Sequence, residues 1–197
     1  MNSPASKDPQ DSPTSSSQFH VVSIPKLMIM LCITFNIYSI YWYYRQWLLS
    51  RGQRGFKLVP LLCCIAGPLL LYTLMKRMAS RSRELGLRLD CTPWSVTLMF
   101  WLPYVMFIVW AFSLAQHPDA EVSLSIVYLL PLILMSACSI LPLTAIVQMQ
   151  QAANLCQGDE LGRQNSRLGL ANCIWMVISW LPIAALMGVM VRLGDYM

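Results

Sequence analysis

Residues 93–115 read PWSVTLMFWLPYVMFIVWAFSLA, a stretch with no Asp, Glu, Lys, Arg or His. At ~1.5 Å of rise per residue, about 20 helical residues cross a ~30 Å hydrocarbon core. The stretch is long enough, and nothing in it resists lipid. Four other charge-free runs flank it, at 27–44, 58–75, 122–147 and 168–191. The expected fold is therefore all-α: a polytopic helical membrane protein with three clear spans and two short, broken apolar segments near the N-terminus.

Composition agrees. Hydrophobic residues make up 56% of the 197 and charged residues 12%, about half the share of a soluble domain. Residues 1–18, rich in Ser and Pro, are expected to be a disordered tail without a cleavable signal sequence. Residues 19–197 are expected to form a single integral-membrane domain. The net charge of +5 lies in short loops beside apolar runs, where it orients the chain and meets anionic headgroups. It is not laid out for nucleic acid. The seven cysteines lie mostly inside apolar runs and include no C-x-x-C, so they read as small apolar packing groups.

Each early run carries a break at its centre. In the first, Asn36 is polar and tolerates the left-handed backbone region. In the second, Gly67-Pro68 removes a backbone donor. The first run ends in Tyr41-Trp42-Tyr43-Tyr44-Arg45-Gln46-Trp47, read as an interfacial aromatic belt or as a binding surface for lipid or peptide. The later runs contain Pro103, Pro131, Pro142 and Pro182, where kinks are expected. Trp-Leu-Pro recurs at 101–103 and 180–182, a faint hint of repetition.

Charge then weighs the topologies. Four Lys or Arg fall in 45–57 and five in 76–90, while 116–121 has none. Five simple spans split the basic residues 9 to 5 across the membrane. If only the second run returns to its own side the split is 11 to 3, and if both return it is 13 to 1. The positive-inside rule favours returning segments, with loops one, two and four cytoplasmic. Within 75–90, Met75, Met78, Ser82, Leu85 and Leu89 share one helical face. Lys76, Arg77, Arg81, Arg83 and Arg88 lie mostly off it. This is the pattern of a helix lying on the membrane surface, and those five are candidate contacts for anionic lipid headgroups at the inner leaflet.

The catalytic inventory is thin. His20 and His117 lie outside the apolar runs, no acid sits at membrane depth, and no hydrolase, phosphate-loop or metal-ligand motif is present. No catalytic residue, cofactor or metal is expected. The most polar feature is a seam of Gln148, Gln151, Asn154, Asn165, Arg167 and Asn172. It reads either as a surface recognising a ligand or partner, or as amides that hydrogen-bond across helices and cap their ends. Ser166 is the expected N-cap of the last helix.

Val22-Ser23, Lys26-Leu27, Thr34-Phe35-Asn36-Ile37-Tyr38 and Tyr41 to Trp47 together resemble a bacterial family of small membrane proteins classed as a domain of unknown function. Its opening pattern is Ser, then Lys-Leu, then Thr-Phe-Gly, then Tyr-Trp-Phe-Tyr and a basic residue. The likeness extends through Gly55, Pro60 and Tyr72 to Asn154, Asn165, Arg167 and Asn172. This chain departs from it at Asn36, where the family has Gly, and at Leu61-Leu62-Cys63-Cys64, where relatives are aromatic or basic. The resemblance implies a multi-pass protein of the bacterial inner membrane and no known activity. The function expected is a non-enzymatic membrane interaction or accessory protein, with membrane lipids, other membrane proteins or itself as partners. The alternative is a small transporter or channel working as an oligomer.

Overall fold

The computed structural model describes residues 18–52, 58–116 and 124–194. The tail expected over 1–18 lies outside these, apart from Gln18. The described residues form seven α-helices: α1 (Ile24–Ile33), α2 (Tyr38–Ser50), α3 (Leu58–Ile65), α4 (Leu71–Glu84), α5 (Pro93–Gln116), α6 (Leu124–Cys156) and α7 (Leu170–Gly194). A 3₁₀ turn at Arg163–Asn165 joins α6 to α7. Among the described residues there is no strand.

Among the described residues, three helices are long and apolar enough to cross a membrane: Pro93–Gln116, Leu130–Cys156 and Leu170–Met190. All three continue through their prolines. The chain is thus an all-helical, multi-pass membrane protein. Helix α6, with 33 residues, is about 50 Å long. It outreaches a ~30 Å core, and its surplus length carries the polar residues past Gln148.

The first apolar run turns back on itself. Thr34 holds the turn: its Oγ1 donates to the Met30 carbonyl at 2.6 Å and accepts from the Tyr38 N–H at 3.0 Å. Phe35 and Asn36 take φ of 49° and 66°. The left-handed region costs most residues ~1–2 kcal/mol and Asn less. Asn36 sits there as its polarity and position predict, whereas nothing in the sequence marks Phe35. The far ends of the hairpin meet. The His20 N–H donates to Gln46 Oε1, and Gln46 Nε2 donates to the His20 carbonyl, both at 3.0 Å. A segment whose two ends share hydrogen bonds does not cross a bilayer.

The second run also ends where it began. Arg51, before α3, and Arg77, within α4, both lie over the Trp47 ring, at 5.6 and 5.2 Å from its centroid. Arg77 also donates to the Ser50 carbonyl at 3.4 Å. Between them the helix is interrupted at Ala66–Leu70 around Gly67-Pro68. Trp101 of α5 donates its Nε1–H to the Pro68 carbonyl at 3.0 Å, supplying a partner where broken backbone in lipid would lack one. Arg51, after α2, and Arg77, within α4, therefore share one side of the molecule.

Helix α4 differs from a helix lying on lipid. It ends at Glu84, and Leu71, Leu74, Met75, Met78 and Ser82 are buried at 0–1% exposure. Leu71, Leu74, Met75 and Met78 pack in one core with Ala145, Ile146, Met149, Ala152 and Cys156 of α6 and with Trp42 and Trp47 of α2. The apolar face is turned to protein, because the surplus length of α6 offers it a ready surface. Leu85, expected on that face, is 44% exposed.

Candidate functional site

The polar residues gather on the basic side, where extended residues 20–23 lie against the end of α6. Asn154 Nδ2 donates to the Val22 carbonyl at 2.9 Å, and the Val22 N–H donates to Asn154 Oδ1 at 3.2 Å. One amide thus pairs both backbone groups of one residue, as a neighbouring strand would. Gln150, one turn earlier, donates to the His20 carbonyl at 2.9 Å and to Asn154 Oδ1 at 2.7 Å. Its own Oε1 accepts from Trp42 Nε1 at 2.5 Å and from Gln46 Nε2 at 3.2 Å. Asn154, Gln150, Gln46 and Trp42 are all fully buried. A buried amide left unpaired is costly, and each of these is paired.

A second group extends the clasp toward α7. Asn165 Nδ2 donates to the Val21 carbonyl at 3.1 Å. Lys26, in the first turn of α1, donates from Nζ to Asn165 Oδ1 at 2.5 Å and to the Arg167 carbonyl at 2.7 Å. With the Asn172 amide oriented to satisfy its neighbours, its Oδ1 accepts from Lys26 Nζ at 3.2 Å and from the Gly169 N–H at 2.9 Å. The ammonium is held by three neutral oxygens. Lys26 is 5% exposed, and burial lowers its pKa from the usual lysine value. His20 is pushed down to about 4, first by burial and then by the Arg45 and Lys26 charges, so it stays neutral at physiological pH.

The turn that delivers Asn165 is tightly built. Asp159 accepts the Arg163 and Gln164 N–H groups on its two carboxylate oxygens at 3.0 and 2.9 Å. Those two bonds hold its carboxyl below the ordinary range. Gly162 takes φ 64°, and a Cβ there would lie 2.5 Å from the backbone of Val22 and Ser23. Only glycine lets the turn press so closely on the clasped segment.

The seam read from sequence therefore divides. Asn154, Asn165, Asn172 and the Arg167 carbonyl come together around residues 21–26. Gln148 and Gln151 do not join them; they line a separate 320 Å³ cavity with Arg88, Asp90 and Glu160. Their three-residue spacing from Asn154 turns them to another face of α6. Gln46 and Gln150 are central to the clasp, and the i, i+4 spacing of Gln150 and Asn154 is the sequence signal that points to them. Ser166 does not cap α7. Its Oγ donates to the Arg163 carbonyl at 3.2 Å, and the helix starts four residues later at Leu170.

Of the candidate lipid contacts, Lys76, Arg77, Arg83 and Arg88 are exposed and Arg81 is half-buried. Arg81 pairs with Glu84 at 2.9 Å. The described residues contain no cluster of three His, Cys, Asp or Glu able to hold a metal ion. Comparison with protein-family models, curated proteins and solved structures returns no match.

Proposed function

We propose that this chain is a non-enzymatic interaction or accessory protein of a bacterial cytoplasmic membrane, its basic side at the inner leaflet. The observation that carries this reading is the placement of α7. Helices α5 and α6 pack together, whereas α7 meets the hairpin through α1 and through the Tyr41–Trp175 ring pair. The ring of Trp180 meets Phe35 at the hairpin turn, 5.0 Å between centroids. Beyond that turn the described side chains of the distal half of α7 are exposed. Leu181, Met187, Val189 and Met190 are 53–64% exposed. Spans associate by close packing, and this one offers its length to another membrane chain. The inner-leaflet orientation rests on the basic residues that Arg51 and Arg77 bring to one side.

The test is affinity purification of the full chain in mild detergent, with mass spectrometry of co-purifying proteins. A membrane protein recovered with wild type, and lost when Met187 and Met190 are replaced by Trp, is the expected outcome. Recovery of the same proteins with both forms counts against α7 as the contact.

A second reading, a small oligomeric transporter or channel, is favoured by a 370 Å³ cleft at the hairpin turn, lined by Asn36, Tyr104, Cys138 and Ser139. Solute flux in proteoliposomes would select it over the first. Against it stands the absence of any charged residue in α5, in α6 and in α7 before Arg192, since coupled transporters commonly carry such groups.

A further inference from the structure

A cavity of about 330 Å³ opens where α7 begins beside the α1–α2 hairpin. Lys26, Arg167, His20, Asn172, Tyr41 and Trp175 are among its lining residues, and none of the lining residues is acidic. The volume is at the lower end of the ~300–1,000 Å³ typical of ligand sites. Its charge is unbalanced. Lys26 is tied to three uncharged oxygens, Arg167 is exposed, and His20 adds no compensating charge. Buried charges are normally paired, and here the described lining supplies no anion. The Lys26 ammonium has spent its three protons on the protein, so it contributes a fixed positive charge. Donors left for a ligand include the Arg167 guanidinium and the Asn172 Nδ2 amide, beside the Tyr38 and Tyr41 hydroxyls of the lining.

The walls identify the source of the anion. Tyr41 and Trp175 meet at a tilt, 6.0 Å between ring centroids, and Trp175 is five residues into a spanning helix. Amphipathic rings at that level mark the headgroup zone. We propose that this cavity binds the phosphate of one anionic phospholipid, its acyl chains lying along α7. The site is separate from the exposed cations of α4, and it needs no protein partner.

The experiment is native mass spectrometry of the full chain in mild detergent, after incubation with phosphatidylglycerol or phosphatidylcholine. Wild type should retain one phosphatidylglycerol in preference to phosphatidylcholine. Arg167→Gln, at an exposed position, should reduce that preference about fivefold, the value of one near-surface cation at ~1.4 kcal/mol per tenfold. Arg167→Lys should keep most of it. Arg83→Gln, on the outer face of α4, should leave it unchanged. Equal retention of the two lipids, or a wild-type preference in Arg167→Gln, would overturn the proposal. So would an equal loss in Arg83→Gln, which would mean diffuse attraction to the basic side. Displacement by millimolar glycerol phosphate or inorganic phosphate would assign the site to a soluble phosphate and overturn the lipid. Because no other protein is present, failure to find a partner for α7 leaves this result unaffected.

Discussion

Asn154→Ala is the sharpest probe of the clasp. The substitution removes the partners of the Val22 N–H and carbonyl and one partner of Gln150 Nε2. Gln150 Nε2 keeps the His20 carbonyl, so its loss is partial. Val22 is 0% exposed and has no water to fall back on. A buried polar group left without a partner costs ~1–3 kcal/mol. Two such groups give about 2–6 kcal/mol, against a whole-domain stability of ~5–15 kcal/mol. The loss should appear as a lower midpoint in denaturant titration of the detergent-solubilised chain, followed by tryptophan fluorescence. Residues 18–23 should also become cleavable by added protease. Gln151→Ala, on an exposed face of the same helix, should stay within ~0.5 kcal/mol of wild type. If Asn154→Ala matched Gln151→Ala and residues 18–23 stayed protected, the amide would not be clasping the N-terminal segment.

Gly162→Ala should destabilise by more than 2 kcal/mol, since φ 64° alone costs ~1–2 kcal/mol and a Cβ would meet backbone at 2.5 Å. Gly158→Ala, at φ 71° with open space around it, should show only the first cost in the same titration. Asn36→Gly should keep the folded yield in detergent, while Asn36→Val should lower it, because a β-branched side chain clashes in the left-handed region; an equal or better yield for Val would remove the turn. Single cysteines at Gly52 and Ser80 in a cysteine-free background should react with a membrane-impermeant maleimide from the same side; opposite sides would contradict the shared Trp47 contact.

Much of the fold was legible because lipid imposes simple demands. A run such as 93–115 has no charge to keep it from the hydrocarbon, and length alone makes it a span. The early breaks were legible for local reasons: Asn36 is an amide in an apolar run, and Pro68 lacks an N–H. That the ends of each run meet was legible only through loop charge. The hydrogen bonds that close the first run join His20 to Gln46 and to Gln150, residues too far apart in sequence to leave a pattern. Phe35 gave no sign of its positive φ, because its turn is forced by Thr34 and Asn36 on either side. The face of α4 was visible as apolar, but periodicity does not say whether lipid or protein covers it. Gln148 and Gln151 looked equivalent to Asn154 by spacing, yet rotation along α6 turns them away from the clasp.

The clasp and the hairpin explain each other. A span is held in place by its length, since both ends must reach water. Helix α1, about 15 Å long, has no such anchor, and an apolar hairpin of that size could slide or roll within one leaflet. Two fixed points remove that freedom. At the turn, Phe35 meets Trp180 about 15 Å into α7. At the base, Asn154, Gln150 and Asn165 bind the backbone of residues 20–22. Of the two readings of the polar seam, pairing within the chain accounts for Asn154, Asn165 and Asn172, whose amides meet backbone, another amide or the Lys26 ammonium, while Gln148 and Gln151 line a separate cavity. The positive charge of Lys26 and Arg167 is what that pairing leaves unbalanced. Beside the clasp, recognition is therefore to be sought at those two cations.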